Sequence, residues 1–513
     1  MKVETPSMTT TTVLPNWLKR CAENYPTRCA LTYGSVHWSF AELNAQVERL
    51  ARQLAGAGVQ EGSRVACMAM NGPALVICVH ALTRLKAILV PLNIRLSVQE
   101  LCWQLQDVRA DLLLYEPRFA TTVATIAEMV PGLKQHALLT GSEDERYAVW
   151  LEAATEQDVP LSEEISLNAT QAIMYTSGTT GHPKGVLITY AMQWWNAVGS
   201  ALNMGLHARD CWLACMPLFH IGGLSILMRS VIYGIRIYVM EKFDAQAVNR
   251  AICEDGVTII SVVAVMLQRM LNALDEGQRY PETFRCALLG GGPAPLPLLQ
   301  ACAARNVPVV QTYGLTEACS QAATLAPEDA LRKLGSAGKP LLPVQLRILN
   351  DGVEAKPGEP GTIYLKGPTI TPGYDHRPDA TSEAFFDGWF STGDIGYVDA
   401  EGYLYVLDRR TDLIVSGGEN VYPAEVEAAL LSHPAVAEVG VCGREHVQWG
   451  QVPVACVCLH PGAQVSESEL QRYAEQRLAR YKVPKAIYFV SQLPRTASGK
   501  LVRRDLKLLL PEA

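Results

Sequence analysis

The stretch from Tyr175 to Val186 combines residue types that could surround a polyphosphate. It continues a short apolar run, Ala172–Tyr175, of the length that a buried strand uses. The next ten residues contain three glycines, four Ser/Thr hydroxyls, one proline and Lys184. Free backbone N–H groups, hydroxyl donors and a cation are the parts of a phosphate-binding loop. The spacing of these residues differs from that of the nucleotide-binding loop of kinases and GTPases. The alternative to a phosphate-binding loop is an ordinary surface turn.

Two further stretches place small or polar residues directly after apolar runs. The triple glycine Gly290–Gly292 follows Cys286–Leu289 and would let the backbone pass close to a flat ligand, with a tight turn as the alternative. Gln311–Glu317 follows Val307–Val310, so we expect a loop at the carboxyl end of a strand, where ligands gather in open α/β sheets. Its tyrosine could stack on a purine, and Glu317 could hold the Mg²⁺ that accompanies ATP. A solvated glutamate in a turn would give the same pattern.

Two later stretches offer groups for a sugar and for a reacting phosphate. Ser391–Asp394 and Asp408–Arg409 each follow a strand-like stretch with aromatic residues. A carboxylate can accept hydrogen bonds from both ribose hydroxyls, and an arginine can donate to sugar or phosphate, although surface ion pairs use the same residues. Pro494–Lys500 ends in a lysine on a glycine-containing loop. Such a lysine could neutralise charge as a carboxylate attacks a phosphate, and in isolation it would simply be solvated.

Substrate choice is expected to lie in Met216–Leu224 and the helix-like stretch after it. His220 is the one ring with a polar group in this apolar setting, and the glycine pair that begins at Gly222 leaves room beside it. A core histidine with satisfied hydrogen bonds is the alternative. Arg229 lies within the apolar run Ser225–Ile232, and burying a guanidinium is costly unless an anion meets it. That anion is either a second carboxylate on the substrate or an internal Asp or Glu.

Composition narrows the class of protein. The 513 residues are too many for one core, and the net charge of −7 gives no electrostatic reason to expect nucleic acid or anionic membrane as a partner. The 14 cysteines include no Cys-x-x-Cys pair, which favours buried free thiols in a reducing cytosol. The most apolar region, Ala74–Leu92, is interrupted by charged residues and is too short to span a bilayer. We therefore expect a cytoplasmic protein without a membrane span. Whether it forms a homo-oligomer is left open at this stage.

The pattern of elements predicts an α/β fold with two domains. Helical periodicity over Phe40–Ala57 and apolar runs such as Arg64–Met70 and Thr258–Val263 indicate parallel sheets covered by helices on both faces. Beyond about residue 335, short strands with Gly-containing turns indicate a small antiparallel β unit. The charged interruption Asp408–Asp412 is the predicted hinge. We expect an N-terminal domain of residues 1–408 and a mobile α+β C-terminal domain of residues 409–513.

Together these motifs resemble, in order and over essentially the whole chain, the adenylate-forming family of acyl-CoA synthetases, luciferases and peptide-synthetase adenylation domains. The resemblance implies ATP, Mg²⁺ and CoA as cofactors and a small carboxylic acid as substrate. It implies catalytic roles for Thr176, Glu317 and Lys500, with Glu317 also binding the metal. The residues that would bind ATP are Thr176, Ser177, Gly178, Thr179, Thr180, Lys184, Gly290, Gly291, Gly292, Thr312, Tyr313, Gly314, Thr316, Asp394, Arg409 and Lys500. Those that would contact the acid are His220, Gly222, Arg229 and Gly291, and those near CoA are Gly417, Gly418 and Glu419.

One departure from that family concerns the hinge, where Thr411 replaces the frequent Asp or Lys. A hinge needs backbone freedom more than a particular side chain, so we expect an effect on domain motion and not on identity.

Longer runs narrow the resemblance to the o-succinylbenzoate–CoA ligase family of menaquinone synthesis. They are Pro217–His220, Leu289–Leu299, Lys333–Pro340, Leu407–Arg410 and Gly417–Glu427. Members often carry Ser where this chain has Gly222. The implied substrate has two carboxylates: the succinyl one would be activated, and Arg229 would meet the benzoate one.

Three alternatives stay open at this stage. The first is a ligase for another fatty or aryl carboxylic acid. The second is an adenylation domain of peptide synthesis, which we do not expect because no carrier domain with an attachment serine follows before Ala513. The third, from a different class of protein, is a nucleotide-binding regulatory protein without catalysis. The presence of Lys500 and Glu317 argues against this third alternative.

Overall fold

The computed structural model describes residues 12–176, 183–291, 294, 296–350, 352–408, 414–421, 423–494 and 503–511. Within them the α-helices are α1 Trp17–Asn24, α2 Phe40–Gly56, α3 Pro73–Arg84, α4 Val98–Asp107, α5 Ala120–Met129, α6 Tyr190–Met204, α7 Ile221–Tyr233, α8 Ala245–Cys253, α9 Ala264–Asn272, α10 Leu296–Ala304, α11 Pro378–Ala384, α12 Pro423–Leu431 and α13 Glu467–Glu475. Short 3₁₀ turns lie at Pro117–Phe119, Thr316–Ala318, Pro327–Asp329 and Arg503–Leu509.

The first group of strands builds the two large sheets and one two-stranded antiparallel sheet, Val13–Pro15 with Glu164–Ser166. They are β1 Val13–Pro15, β2 Cys29–Tyr33, β3 Val36–Ser39, β4 Arg64–Met68, β5 Ile88–Pro91, β6 Leu112–Tyr115, β7 Lys134–Thr140, β8 Val149–Leu151, β9 Glu164–Ser166, β10 Thr170–Thr176, β11 Lys184–Thr189, β12 Cys211–Ala214, β13 Arg236–Val239, β14 Ile259–Val263, β15 Cys286–Gly290, β16 Val309–Tyr313, β17 Ala323–Leu325 and β18 Lys339–Pro340. The later strands are β19 Gln345–Asn350, β20 Val353–Glu354, β21 Gly361–Lys366, β22 Phe385–Phe386, β23 Trp389–Val398, β24 Leu404–Asp408, β25 Ile414–Ser416, β26 Glu419–Val421, β27 Val436–His446, β28 Gly450–Leu459 and β29 Ile487–Phe489.

Two mixed sheets form the bulk of the chain. One has seven strands in the order β11-β10-β5-β4-β6-β7-β8, and the other has nine in the order β18-β17-β16-β15-β14-β12-β13-β2-β3. Their central strands run parallel and their edge strands antiparallel. Parallel neighbours need crossover connections, which here are helices, and the buried strands read as near-continuous apolar runs. The predicted fold class is confirmed.

Two smaller sheets follow. A six-stranded antiparallel sheet, β20-β19-β21-β23-β22 with β24 on β23, matches the β unit expected beyond residue 335. A five-stranded sheet, β26-β25-β28-β27 with β29 on β28, carries α12 and α13. Strand β28 is buried on both faces, because Ala455 and Val457 pack in one core cluster while Cys456 and Cys458 pack in another, as the alternation in the sequence predicts.

Three local predictions need correction. Gln311 to Tyr313 lie within β16, so the expected loop begins only at Gly314, because antiparallel pairing with β17 extends the strand. The stretch Ser391–Asp394 lies inside β23 and does not follow a strand. The sequence predicts a helix over Glu467–Ala479, but α13 ends four residues earlier, at Glu475. The predicted hinge residues 409–412 lie outside the described part of the chain.

The cysteine side chains are mostly enclosed. Twelve of the 14 cysteines are buried, and none forms a disulfide. Burial raises the pKa of Cys215 and Cys319 to about 12, so both stay protonated at neutral pH. In the described residues, every helix is too short or too polar to traverse a lipid bilayer.

An ion pair joins the amino-terminal ends of two strands of the nine-stranded sheet. Asp210, just before β12, accepts two hydrogen bonds from Arg285, just before β15, at 2.8 and 2.5 Å. The backbone N–H of His207 and the hydroxyl of Thr258 donate to the same carboxylate at 2.9 Å each. Burial works to raise the pKa of Asp210, but these donors hold it below its ordinary value.

We expect Asp210→Ala to lower the free energy of unfolding by about 3 kcal/mol, because it leaves the guanidinium of Arg285 half-buried without its anion. Since the folded-state pKa of Asp210 is depressed, its stabilisation is present above the ordinary value of 3.8 and is lost as pH falls through the folded-state value. Urea unfolding between pH 7 and pH 3 measures both effects. Asp158→Ala, at an exposed aspartate, is the control; equal losses in the two variants would contradict the role of the pair.

Candidate active site

A cavity of about 320 Å³ opens at the carboxyl ends of the parallel strands of the nine-stranded sheet. The ends of β14, β15 and β16 form its floor, the start of α7 forms one wall, and the turn between β25 and β26 reaches its mouth from the smaller sheet. Strand ends converge there because parallel neighbours present their loops at one edge. The predicted site residues that line it are Thr176, His220, Gly222, Arg229, Gly290, Gly291, Thr312, Gly314, Thr316, Glu317, Asp394, Gly418 and Glu419.

Other predicted site residues lie elsewhere or outside the described residues. Lys184, Tyr313 and Gly417 are described but are not among the lining residues. Outside the described part of the chain lie Ser177, Gly178, Thr179, Thr180, Gly292, Arg409, Thr411 and Lys500.

The region expected to hold the nucleoside is built on two adjacent polar side chains. Asp394 on β23 is nearly buried and accepts a hydrogen bond of 2.6 Å from the hydroxyl of Tyr313, the last residue of β16. Gly314 follows at once, and a Cβ there would lie 1.4 Å from the carbonyl oxygen of Ser320. Only glycine fits that position, so the backbone turns tightly from the strand end towards Glu317.

Glu317 is held by a residue that the sequence did not single out. The hydroxyl of Tyr374 donates to Oε1 of Glu317 at 3.0 Å, and the backbone N–H of Thr371 donates to its carbonyl oxygen at 2.8 Å. The Nζ of Lys184 lies 5.0 Å from the centroid of the Tyr374 ring. Tyr374 therefore connects the lysine at the end of the phosphate-loop segment with the buried carboxylate. An isolated tyrosine in a polar loop gives no pattern that would have revealed this.

The carboxylate of Glu317 fits a magnesium ion that is shared with a nucleotide. Mg²⁺ in such sites is bound through one or two carboxylates, while phosphate oxygens and waters supply the remaining ligands. Among the described residues, no group of three or more His, Cys, Asp or Glu side chains could hold a metal by itself. A metal at this position would therefore depend on the phosphates for most of its ligands.

The wall of the cavity that α7 forms contains a buried cation. Arg229 on α7 is 2 % exposed, donates to Oδ1 of Asn196, and lies 5.2 Å from the ring centroid of Trp212. The groups that interact electrostatically with it are Tyr233 and Cys319, with no Asp or Glu among the described residues, and its Nε has no hydrogen-bond partner there. Burial lowers the pKa of Arg229. A guanidinium in this setting can pair with an anion that enters the cavity.

Two glycines shape the wall beside this cation. A Cβ on Gly222 would meet nothing within 4 Å, so this residue leaves open space in the cavity. A Cβ on Gly223 would lie 2.2 Å from the carbonyl oxygen of Pro217, so close packing of the first turn of α7 requires glycine. The sequence had attributed room to both residues, and the structure assigns it to the first.

The turn between β25 and β26 lies at the mouth of the cavity. Gly417 and Gly418 both adopt positive φ, which permits the tight turn, and a Cβ on Gly418 would be 3.8 Å from Val263 at the end of β14. Glu419 accepts hydrogen bonds from Arg95 and, at 3.1 Å, from Nε2 of His220. Burial works to raise the pKa of Glu419, but His220, Arg95 and Lys482 hold it below its ordinary value.

Sequence reasoning missed the residues that meet this turn from the other side. Asn93 and Arg95, after β5, together with Tyr481 and Lys482, after α13, complete the boundary between the sheets. The segments that contain these residues lie nearly 400 residues apart in the chain. A local sequence pattern cannot indicate pairs that are so far apart.

Comparisons with known proteins agree with this architecture. The profile of AMP-binding enzymes matches residues 18–375, and that of the AMP-binding enzyme C-terminal domain matches residues 425–500. The 2-succinylbenzoate–CoA ligase of Geobacillus sp. (strain WCH70) is 53 % identical over 500 residues, covering 98 % of each chain.

Two solved structures of o-succinylbenzoate CoA synthetase (MenE) from Bacillus subtilis resemble this chain. Each is 46 % identical to it, and each match covers 97 % of this chain and 98 % of the solved chain. The degree of structural similarity differs between the two. A double mutant of that enzyme with the product analogue OSB-NCoA gives a TM-score of 0.89. The complex with the acyl-adenylate intermediate OSB-AMP gives 0.73. By this measure the structure of this chain is more similar to the product-analogue complex than to the acyl-adenylate complex.

The two profiles match both parts of the chain, and the relatives match nearly its full length. The chain belongs to the AMP-binding enzyme family, whose adenylate-forming fold combines a large N-terminal domain with a small C-terminal one.

Proposed function

We propose that this protein is an ATP-dependent acid–thiol ligase that converts o-succinylbenzoate and CoA to o-succinylbenzoyl-CoA through an acyl-adenylate, in menaquinone synthesis. The observation that carries the proposal is the buried Arg229 in the cavity wall, which has no carboxylate partner among the described residues. A dicarboxylic acid supplies such a partner with the carboxylate that does not react. The similarity to curated 2-succinylbenzoate–CoA ligases supports the same substrate.

In the first half-reaction, a carboxylate oxygen of the acid attacks the α-phosphorus of ATP, and the bond to pyrophosphate breaks. Asp394 binds the ribose, and Thr176 with Lys184 binds the phosphates. Glu317 holds Mg²⁺, which neutralises phosphate charge when bound. Lys500, which lies outside the described residues, contributes a cation beside the attacking carboxylate. Positioning and charge neutralisation supply most of the acceleration in such chemistry.

In the second half-reaction, the thiolate of CoA attacks the carbonyl carbon of the adenylate. A C–S bond forms, the C–O bond to AMP breaks, and AMP leaves with the electron pair. The turn Gly417–Glu419 at the cavity mouth is placed to border the path of the thiol. The closer similarity to the product-analogue complex supports assigning the present arrangement to this half-reaction.

The two halves require the small domain to move. We place the boundary between residues 408 and 409 and the hinge at Thr411. The end of β24 at Asp408, the start of β25 at Ile414 and the gap between the two family profiles support this position. Because ATP and CoA are its cosubstrates, we place the enzyme in the cytoplasm.

We expect Glu317→Gln to raise the Mg²⁺ concentration needed for half-maximal adenylation by about tenfold or more, because the variant loses an anionic ligand for a hard cation. ATP–pyrophosphate exchange across a magnesium titration measures this. Glu328→Gln, at an exposed glutamate, is the control. An unchanged titration would remove Glu317 from the metal site.

We expect Lys500→Ala to lower the rate of adenylation by about 10²-fold or more, while thioester formation from supplied acyl-adenylate and CoA stays within a few fold of wild type. Single-turnover measurements of each half-reaction test this. Lys507→Ala serves as the control at an exposed lysine. Equal loss in both half-reactions would contradict the two-arrangement mechanism.

We expect the wild-type enzyme to prefer o-succinylbenzoate over 4-phenylbutyrate by about 10²-fold or more in kcat/KM, because the monocarboxylate leaves Arg229 buried and unpaired. Arg229→Met, which keeps most of the side-chain volume, should erase most of this preference by weakening the dicarboxylate selectively.

Arg250→Ala, at an exposed arginine, is the matched control for that comparison. Comparable kcat/KM values of the wild-type enzyme for a fatty acid and for o-succinylbenzoate would overturn the substrate assignment. They would favour a ligase for another carboxylic acid.

A further inference from the structure

Lys482 is a buried cation that lies on the boundary between the two domains. It follows α13, its side chain is 4 % exposed, and its backbone N–H donates to the carbonyl of Ala479 at 2.8 Å. Its Nζ donates to Oε1 of Glu425, in the first turn of α12 of its own domain, at 2.7 Å. The same Nζ donates to Oε1 of Glu100, on α4 of the large domain, also at 2.7 Å. One ammonium group therefore connects carboxylates of both domains.

The ionic balance makes this contact depend on the lysine. Burial works to lower the pKa of Lys482, but Glu425 and Glu100 raise it above its ordinary value. Burial raises the pKa of Glu425, with Glu100 acting in the same direction and Lys482 opposing it. Without the ammonium group the two carboxylates would face each other in a buried position, which is strongly unfavourable.

Glu100 is itself held rigidly. Its Oε2 accepts hydrogen bonds of 2.9 Å from both the backbone N–H and the hydroxyl of Ser97, the N-cap residue of α4. This capping box leaves Oε1 directed at Lys482. The hydroxyl of Ser97 also lies 3.0 Å from the carbonyl oxygen of Arg477, in the small domain. The start of α4 is therefore a preformed receptor for the segment after α13.

The contact continues directly into the active site. Asn93, which lines the cavity, donates from Nδ2 to the hydroxyl of Tyr481 at 3.3 Å. Arg95, two residues further on, pairs with Glu419 in the turn at the cavity mouth. One short segment of the large domain, residues 93–100, thus contacts both parts of the small domain that face the cavity.

We infer that Glu100, Lys482 and Glu425 form an interdomain latch, which holds the small domain in the arrangement for thioester formation. This inference rests on the proposed two-step function. Lys482 and Glu100 are positioning residues, because they act by placing the turn Gly417–Glu419 and not by touching the reacting atoms. The higher TM-score with the product-analogue complex than with the acyl-adenylate complex supports placing the contact in the second half-reaction.

A purely structural role for the lysine makes a different prediction. The pair Lys482–Glu425 lies within the small domain, so its loss could weaken that domain in every step. Glu100→Gln separates the two roles, since it removes only the interdomain charge, and glutamine preserves the capping box with Ser97. Lys482→Met removes both contacts and keeps most of the side-chain volume.

The test measures the two half-reactions separately in the full-length enzyme. For Glu100→Gln we expect the single-turnover rate of thioester formation from preformed acyl-adenylate and CoA to fall about tenfold or more, within the range of ordinary coupling between sites. Its ATP–pyrophosphate exchange should stay within about twofold of wild type. Lys482→Met should lower the thioester rate at least as much, and the double variant should be no slower than Lys482→Met alone.

Glu128→Gln, at an exposed glutamate of α5, is the matched control and should leave both rates unchanged. An equal loss of both half-reactions in Glu100→Gln, or a loss of neither, would overturn the latch. Additive effects in the double variant would overturn it as well. Failure of wild-type enzyme to form any acyl-adenylate from o-succinylbenzoate would instead refute the proposed substrate, and the latch would then be tested with whichever acid the enzyme activates.

Discussion

The parallel alignment of β14, β15 and β16 is the constraint on which the rest of the site depends. Because the three strands point the same way, the segments that leave them meet at one edge of the sheet. Residues far apart in the chain thus come to line one cavity. At the amino ends of the strands of the same sheet, Asp210 and Arg285 form an ion pair. The polar groups that stabilise the sheet and those that line the cavity therefore lie at opposite ends of the strands.

Much of the large-scale fold was readable from the sequence, because it follows from local periodicity. The amphipathic repeat of α2 and the apolar run of β4 were predicted to within two residues at each end. The predictions that failed concern boundaries that partners determine: β16 extends to Tyr313 because β17 pairs with it.

The candidate site was predictable to a different extent. Motifs rich in glycine and carboxylate identified much of the cavity lining, including Glu317 and Asp394, and the lone charge in an apolar run identified Arg229. Tyr374 and Lys482 could not be found in this way, because their roles arise from contacts between distant segments and their own neighbours in sequence are unremarkable. The two buried cations differ in their partners: Lys482 meets two protein carboxylates, whereas Arg229 meets none among the described residues.

The enclosed thiols described above have a consequence for an enzyme that handles an activated acyl group. Cys215 directly precedes the lining residue Met216, and Cys319 directly precedes the lining residue Ser320. An acyl-adenylate reacts readily with any thiolate, so an ionised cysteine nearby would compete with the incoming thiol and acylate the protein itself. Because burial raises the pKa of both side chains and favours their protonated form, neither presents a thiolate to compete with an external thiol at neutral pH.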